Sequence, residues 1–231
     1  CGDPDSRHGI ILAKNQLAKE CGVVTAETIW QARQKCPDLT LVPPHRQEYV
    51  KYSRILNGIY EGYTDLVEPF GIDESWLDVT GTLHLFGDGP AIADRLRAEV
   101  RRETGLTISV GVSFNKIFAK LGSDYKKPDA TTVFSRENYR ERVWPLPVSA
   151  LLYVGKASEQ SLRKLGIRTI GQLAAADKDL LRASLGKLGE QLSAYARGEE
   201  DSPVRAAGDT PEVKSVGNGM TFRRNLVGER T

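Results

Sequence analysis

The sequence predicts an α+β fold, and three observations support this prediction. Residues 66–79 and 106–113 are short runs of apolar and β-branched residues with the composition of strands. Residues 47–63 and 91–104 repeat apolar side chains at helical spacing, so we expect two helices on one face of an antiparallel sheet. From about residue 147 to 198 the chain contains only short helical segments separated by glycines, which predicts an all-α module.

An acidic pair, Asp73-Glu74, interrupts the first strand-like run. Adjacent side chains of a regular strand point to opposite faces, so two carboxylates could serve one site only if the backbone bends. We therefore expect a strand, a tight turn and a second strand. A divalent cation is a common partner for paired carboxylates. The alternative is that both acids are ordinary turn residues, with Gly71 supplying the bend.

The composition indicates a globular protein with one large domain or two to three small ones, since 40% of its 231 residues are hydrophobic. The 32 basic and 30 acidic residues leave a net charge of +2, so any surface for nucleic acid must be local. Cys1, Cys21 and Cys36 show no metal-binding spacing, which disfavours a zinc site or disulfide scaffold and favours a reducing cytoplasm. No apolar run approaches the roughly 20 residues that span a bilayer, so we expect no membrane partner.

Before the acidic pair, the chain has the signals of two short helices and a strand. Asn15 is a suitable N-cap for a helix over 16–21, and Thr25 would cap a second helix that ends before Pro37. Residues 39–42 have the apolar character of a strand.

A lysine-rich helix follows the strand at 106–113. Its lysines are Lys116, Lys120, Lys126 and Lys127. They could form a solvated helix face, which is the usual role of lysine, or a phosphate-binding edge beside the acidic pair. Lys127 lies just before a proline, where its ammonium can reach a polyphosphate as a mobile charge.

Four short helices are predicted in the C-terminal half, at 158–165, 169–175, 177–185 and 189–197. Glycine turns with a following lysine precede the first and the last of them: Gly155-Lys156 and Gly186-Lys187. Such a turn lets backbone N–H groups at a helix start hold a phosphate without contacting a base. We therefore predict a grip on the DNA backbone; a purely structural helical bundle is the alternative.

Four motifs occur in order along the chain. They are Gly-Ile-Asp-Glu-Ser-Trp-Leu-Asp at 71–78, Ser-Val-Gly-Val-Ser-x-Asn-Lys-x-x-Ala-Lys at 109–120, Lys-Pro at 127–128 and Lys-Ser-Val-Gly at 214–217. Together they resemble the motifs of the Y-family, or translesion, DNA polymerases of the bacterial DNA polymerase IV type. The first is similar to that family's Ser-Ile-Asp-Glu-Ala-x-Leu-Asp, and the last to its entry into the little-finger domain.

The resemblance implies fingers at 1–45, a palm at 46–134, a helix-hairpin-helix thumb at 135–208, and a linker with the start of a little finger at 209–231. It implies distributive synthesis of DNA past damaged bases, from deoxynucleoside triphosphates and primer–template DNA. The family's first metal-binding Asp and its aromatic steric gate lie on a strand upstream of these residues. We therefore expect this fragment to be inactive by itself. A sliding clamp is a further candidate partner, through a segment beyond Thr231.

The resemblance also assigns roles to individual residues. Asp73 would bind two catalytic magnesium ions, and Glu74 would be the adjacent catalytic, metal-binding carboxylate near the primer 3′-hydroxyl. Lys127 would contact the triphosphate of the nucleotide. Gln16 and Lys19 stand where the family usually has Tyr and Arg that touch the triphosphate, and Lys19 keeps the charge without the bidentate fork of Arg.

The same resemblance implies a set of DNA-binding residues: Lys116, Lys120, Gly155, Lys156, Gly186 and Lys187. Tyr153 departs from the family pattern, because it replaces one of two glycines in the first thumb hairpin. Two rivals stay open: a relative that binds DNA but no longer polymerises, and another palm enzyme such as a nucleotidyl cyclase, against which the glycine-turn module argues.

Overall fold

The structure is a computed structural model that describes residues 1–2, 9–209, 212–219, 222 and 228. It divides into two compact units, one formed by Cys1–Tyr49 with Thr210–Thr231 and the other by Val50–Asp209. Parts of the predicted segments 1–45 and 209–231 lie outside the described residues. In the described part of the chain, no helix has the length and apolar character needed to cross a membrane.

The first unit contains α1 (Gln16–Glu20) and α2 (Ile29–Lys35) around a small core. Asn15 caps α1 as predicted, since its side chain accepts a hydrogen bond from the amide of Ala18 at 3.0 Å. The predicted cap of α2 was wrong. Thr28, not Thr25, caps this helix, because Thr28 and Gln31 form a reciprocal capping box.

The strand predicted at 39–42 is not formed. Leu39 and Leu41 instead pack, half-buried, against the core of Ile11, Ala18, Val23, Ile29 and Ala32. Alternating apolar residues can therefore pack against a core without forming a β-strand.

Helix α3 (Arg46–Glu61) leads to an antiparallel hairpin of β1 (Val67–Phe70) and β2 (Glu74–Leu77). Phe70 lies opposite Glu74 across the ladder, so Glu74 is the first residue of the second strand and Asp73 is the last residue of the turn. Gly71 supplies the predicted bend with a φ of 80°.

Next come a 3₁₀ turn (Thr80–Thr82), the short α4 (Leu83–Phe86) and α5 (Gly89–Thr104). Asp88 caps the start of α5 by accepting from the amide of Ala91, and Gly105, at φ 71°, ends it.

The second sheet consists of β3 (Val110–Ser113) and β4 (Thr131–Phe134), which are joined through α6 (Lys116–Tyr125). These strands are parallel, whereas we expected antiparallel neighbours, and the predicted strand at 106–113 begins only at Val110. A helix between two strands returns the chain in the same direction, as in other crossover connections. The α+β class is confirmed.

The remaining helices are α7 (Tyr139–Arg142), α8 (Lys156–Lys164), α9 (Ile170–Ala175), α10 (Lys178–Leu185) and α11 (Lys187–Ala196), with a 3₁₀ turn at Val148–Ala150. Thr169 and Asp177 cap α9 and α10. One core continues from α6 and β4 into these helices, and Phe118, Phe134 and Leu192 are all fully buried in it.

Candidate functional site

The acidic hairpin of β1 and β2 is fastened to helix α6. The indole N–H of Trp76 donates to the carbonyl oxygen of Lys116 at 3.0 Å. The Phe70 and Trp76 rings pack at 4.5 Å between centroids on the two strands. Asp73 is exposed at the end of the turn, and the Glu74 side chain keeps 34% of its surface exposed. Both carboxylates are therefore accessible on a well-anchored element.

Lys120 of α6 joins this hairpin through its ammonium. Its Nζ lies 3.0 Å from Oε1 of Glu74 and also contacts Asp124, one helical turn later. Burial would lower the pKa of Lys120, but hydrogen bonds with Asp124 and Glu74 outweigh it and raise the pKa. Lys120, which the motifs assign to DNA binding, is thus paired with two carboxylates, and its side chain is only 15% exposed.

Asp124 forms a second ion pair, with Lys127, whose Nζ lies 2.8 Å from Oδ1 of Asp124. Burial would raise the pKa of Asp124, but the hydrogen bonds from Lys120 and Lys127 lower it. The Lys127 side chain is 57% exposed, so its ammonium can also reach a ligand in solvent. We call Glu74, Lys120, Asp124 and Lys127 the ion-pair chain.

Arg97 of α5 holds the loop that follows Lys127. Its Nε and Nη2 atoms donate to Oδ1 of Asp129 at 3.0 and 2.9 Å, and Nη2 also donates to the Asp129 carbonyl at 2.5 Å. Asp124 and Arg97 were both missed as site residues. The partner of Arg97 is known only once the helices are placed, because Arg97 and Asp129 are 32 positions apart. Asp124 lies four positions after Lys120 and three before Lys127, a spacing that could have indicated its ion pairs.

Lys116 has an internal role in the structure. Its Nζ lies 2.6 Å from Glu68 and 2.7 Å from the carbonyl oxygen of Pro203, and its side chain is only 11% exposed. Burial would raise the pKa of Glu68, but hydrogen bonds from Lys116 and from the amide of Arg205 lower it. The predicted contact of Lys116 with DNA would require this pair to open.

The two glycine turns of the helical module are exposed. Gly155 caps α8 and Gly186 caps α11, and Lys156 and Lys187 are the exposed first residues of these helices. A Cβ added at either glycine would meet no described atom within 4 Å. Internal packing therefore does not exclude a side chain, and at Gly155 the backbone angles do not require glycine.

Tyr153, which replaces a glycine of the family pattern, keeps a left-handed backbone with φ 70°. Its ring is 51% exposed and lies 6.1 Å from the ring of Tyr195. An aromatic residue is strained in this region, so the turn retains the geometry that glycine would adopt freely.

Gln16 and Lys19 are exposed on α1 in the first unit. The side-chain amide of Gln16 donates to Glu20 at 3.0 Å. Both side chains are therefore accessible from solvent, as nucleotide-binding residues must be.

Asp73 and Glu74 have the oxygen donors that magnesium prefers, and magnesium is usually held by one or two carboxylates together with substrate phosphates. The described residues contain no group of three or more His, Cys, Asp or Glu side chains that could hold a metal ion. The hairpin thus fits a magnesium site that takes its other ligands from outside these side chains.

A groove of about 560 Å³ lies elsewhere, between α3 and α5. Tyr63 lines it and donates to Glu99 at 2.6 Å, and burial together with Glu99 raises the pKa of Tyr63 to about 12. None of the predicted site residues lines this groove.

Comparison with known proteins gives consistent similarities. Residues 1–124 match the impB/mucB/samB family. The chain is 49% identical over 227 residues to DNA polymerase IV of Acetivibrio thermocellus, covering 98% of this chain and 57% of that protein. It is 40% identical to DNA polymerase IV 2 of Bacillus subtilis, covering 97% of this chain and 55% of that protein. The chain thus spans a little over half the length of these relatives.

Solved structures agree with these relatives. A Y-family DNA polymerase chimera superposes with a TM-score of 0.80 at 25% identity, covering 90% of this chain and 60% of the other. A DinB protein from Sulfolobus solfataricus gives a TM-score of 0.76 at 26% identity, covering 82% of this chain and 56% of the other. An insertion ternary complex of a DNA polymerase gives 0.75 at 26% identity, covering 82% and 56%. The resemblance predicted from the four motifs is confirmed.

Proposed function

This chain belongs to the impB/mucB/samB family, and from this membership we propose that the whole protein is a Y-family DNA polymerase that copies damaged templates. The proposal concerns the whole protein because the chain spans only 57% of its relative from Acetivibrio thermocellus. Primer–template DNA and deoxynucleoside triphosphates are its proposed substrates, and a sliding clamp is a proposed partner.

One observation carries the proposal: Asp73 ends the turn and Glu74 starts strand β2 on an anchored hairpin, and the ion-pair chain leads from Glu74 to the exposed Lys127. Acidic and basic groups thus lie on one element pair, as the transfer of a nucleotide requires. Carboxylates hold divalent cations, and a lysine beside them attracts a polyphosphate.

Asp73 and Glu74 would hold magnesium, two ions in the proposed mechanism. When bound, such ions lower the pKa of an attacking hydroxyl and neutralise a leaving pyrophosphate during in-line displacement. Glu74 would lie nearest the primer 3′-hydroxyl, with Lys120 orienting its carboxylate. Lys127 would contact the triphosphate, and Gln16 and Lys19 would add contacts from the fingers.

The helical module would hold the duplex through its backbone. Gly155 and Gly186 leave open space beside the first turns of α8 and α11, and this supports close approach by a phosphate. Lys156 and Lys187 would add charge at the same turns. Neither contact would depend on base sequence, which suits an enzyme that accepts damaged templates.

We also propose that the 231 residues alone do not extend primers. Two carboxylates are a small ligand set for two ions, and the described residues offer no third candidate ligand beside them. The whole protein is therefore the right subject for assays of activity.

Primer extension by the whole protein with magnesium tests the proposal. We expect the nucleotide added to follow the template base, and Glu74→Gln to lower the rate by about a hundredfold or more, because it removes charge stabilisation at the reacting atoms. Glu61→Gln, an exposed change at the end of α3, is the matched control and should keep the rate. Extension that Glu74→Gln leaves intact would contradict the assignment.

Binding of duplex DNA at increasing salt tests separately whether the helical module contacts the DNA backbone. Each phosphate contact contributes about −0.9 to the slope of log affinity against log salt. We expect Lys156→Ala and Lys187→Ala each to make the slope less steep by about one contact. A DNA-binding relative without polymerase activity would give the same slopes but no extension, and a nucleotidyl cyclase would give neither.

A further inference from the structure

We propose that Lys120 is a positioning residue that weakens binding of a free divalent cation at Asp73 and Glu74, so that metal binds well only together with a polyphosphate. This inference rests on the proposed function, because it assumes that the acidic hairpin is the metal site. It concerns Lys120 alone, which the motifs suggest as a contact to DNA.

The position of the Lys120 ammonium carries the inference. Its Nζ lies 3.0 Å from Oε1 of Glu74, the same carboxylate that would bind the metal. A metal ion on Glu74 would therefore lie within a few ångströms of a fixed positive charge. Charges at that separation repel each other appreciably even near a protein surface.

The ammonium is also held in place. Its side chain is only 15% exposed, and Asp124 on the next turn of α6 contacts the same Nζ. Lys120 therefore cannot swing freely into solvent when a cation approaches, and solvent screens its charge less than that of an exposed lysine.

The charges around Lys120 explain why a polyphosphate would allow the metal ion to bind. Asp73, Glu74 and Asp124 oppose Lys120 and Lys127, which leaves little excess negative charge to attract a free cation. A polyphosphate on Lys127 brings several negative charges of its own. The polyphosphate would compete with Asp124 for the ammonium of Lys127. Asp124 would then pair with Lys120 alone and draw the Lys120 ammonium away from Glu74.

A purely structural ion pair predicts the opposite result when Lys120 is neutralised. Loss of a structural partner would loosen Glu74 and weaken metal binding. Loss of a repelling charge would strengthen it. The sign of the change therefore separates the two roles.

The test is a titration of the whole protein with Mn²⁺ in the absence of nucleotide, followed by the electron paramagnetic resonance of the free ion. We expect Lys120→Met to lower the dissociation constant by about tenfold, from the Coulomb repulsion removed. Lys120→Gln is a second neutral variant that can still donate a hydrogen bond to Glu74, and we expect it to tighten binding too. Lys120→Arg keeps the charge and should bind like the wild type.

Lys164→Met, at the exposed end of α8, is the control for removing one positive charge elsewhere, and thermal unfolding identifies any variant that does not fold. If both neutral variants bind Mn²⁺ as the wild type does or more weakly, the inference is overturned. The proposed metal site stands in that case if Asp73→Asn abolishes binding. If Asp73→Asn and Glu74→Gln both bind Mn²⁺ like the wild type, the metal site itself is wrong, and the inference fails with it.

Discussion

Arg97 determines where the loop after helix α6 lies. Its guanidinium donates three hydrogen bonds to Asp129, one at 3.0 Å to the carboxylate of Asp94 and one at 3.3 Å to the hydroxyl of Thr131. Arg97 is only 23% exposed and Asp129 26%, so this pair is partly shielded from water. Asp129 also adopts a left-handed φ of 50°, which the contacts with Arg97 help to hold. The residue two positions before Asp129 is Lys127, the proposed triphosphate contact.

We expect Arg97→Lys to lower the free energy of unfolding by about 1 to 2 kcal/mol, because one ammonium cannot donate to the carboxylate and the carbonyl of Asp129 with the geometry of the guanidinium. Urea denaturation of the 231-residue chain measures this. Arg95→Lys, at an exposed position of the same helix, should change stability by less than about 0.5 kcal/mol. Equal stability of the two variants would show that Arg97 does not hold the loop.

Single residues also show what the sequence can predict about the site. Asp73 and Glu74 stand out because two adjacent acids interrupt an apolar run, and the structure places them at the predicted bend. Asp124 follows Lys120 at the spacing of a helical ion pair, but the contacts of Lys116 with Glu68 and of Lys120 with Glu74 could not be predicted. Lys116 pairs with Glu68, 48 positions away, and a count of lysines on a helix does not reveal such a contact.

At the scale of elements, helix α6 lies directly on strand β3. A Cβ built on Gly111 would lie 1.9 Å from the carbonyl oxygen of Ala119 and 2.6 Å from the amide nitrogen of Ser123. Both partners are backbone atoms, so they cannot move aside without shifting the helix. Gly122, on α6, lies against Gly111, since a Cβ added to Gly122 would lie 2.9 Å from the Cα of Gly111. This contact sets how closely α6, which carries Lys120, approaches strand β3.

We expect Gly111→Ala to lower the free energy of unfolding by about 3 kcal/mol, at the upper end of the cost of overpacking. Gly81→Ala is the matched control, because an added Cβ there meets no described atom within 4 Å. Thermal or urea unfolding of both variants measures the difference. A Gly111→Ala chain as stable as Gly81→Ala would contradict the close packing of α6 on β3.

Local signals predict most of the elements but not their pairing. The caps Asn15, Thr169 and Asp177 mark helix starts because each side chain bonds within its own turn. The parallel pairing of β3 with β4 depends on contacts between segments about 20 residues apart. No local pattern distinguishes it from the antiparallel arrangement that we expected.

At the scale of the whole second unit, the segment after α11 returns to the hairpin. Pro203 accepts from Nζ of Lys116 at 2.7 Å, and the amides of Arg205 and Ala207 donate to Glu68 at 3.0 Å and to the carbonyl of Asp65 at 2.8 Å. Glu68 is 8% exposed and accepts from both Lys116 and Arg205. The end of the helical module is thus fastened to strand β1 through one buried carboxylate.

This carboxylate makes stability depend on pH in a defined direction. The pKa of Glu68 is lowered below its ordinary value of 4.5, so its stabilising effect is complete above pH 4.5 and is lost as the pH falls through the folded-state pKa. We expect Glu68→Gln to lower the free energy of unfolding by about 3 kcal/mol at pH 7, since it leaves buried charges unpaired.

The difference between wild type and Glu68→Gln should shrink as the pH falls below 4.5. Urea denaturation at several pH values follows it, with the exposed Glu141→Gln on α7 as the control that should match the wild type throughout. A constant difference at every pH would mean that the Glu68 charge does not fasten this segment.

The most direct test of the central claim, that the acidic hairpin is a metal-dependent centre for nucleotide transfer, is single-turnover addition of one nucleotide. The whole protein is first saturated with primer–template, and magnesium and the complementary nucleotide are then added together. We predict that wild type extends the primer and that Asp73→Asn binds the same DNA equally well but extends it at least about a hundredfold more slowly. Equal rates for the two proteins would contradict the claim.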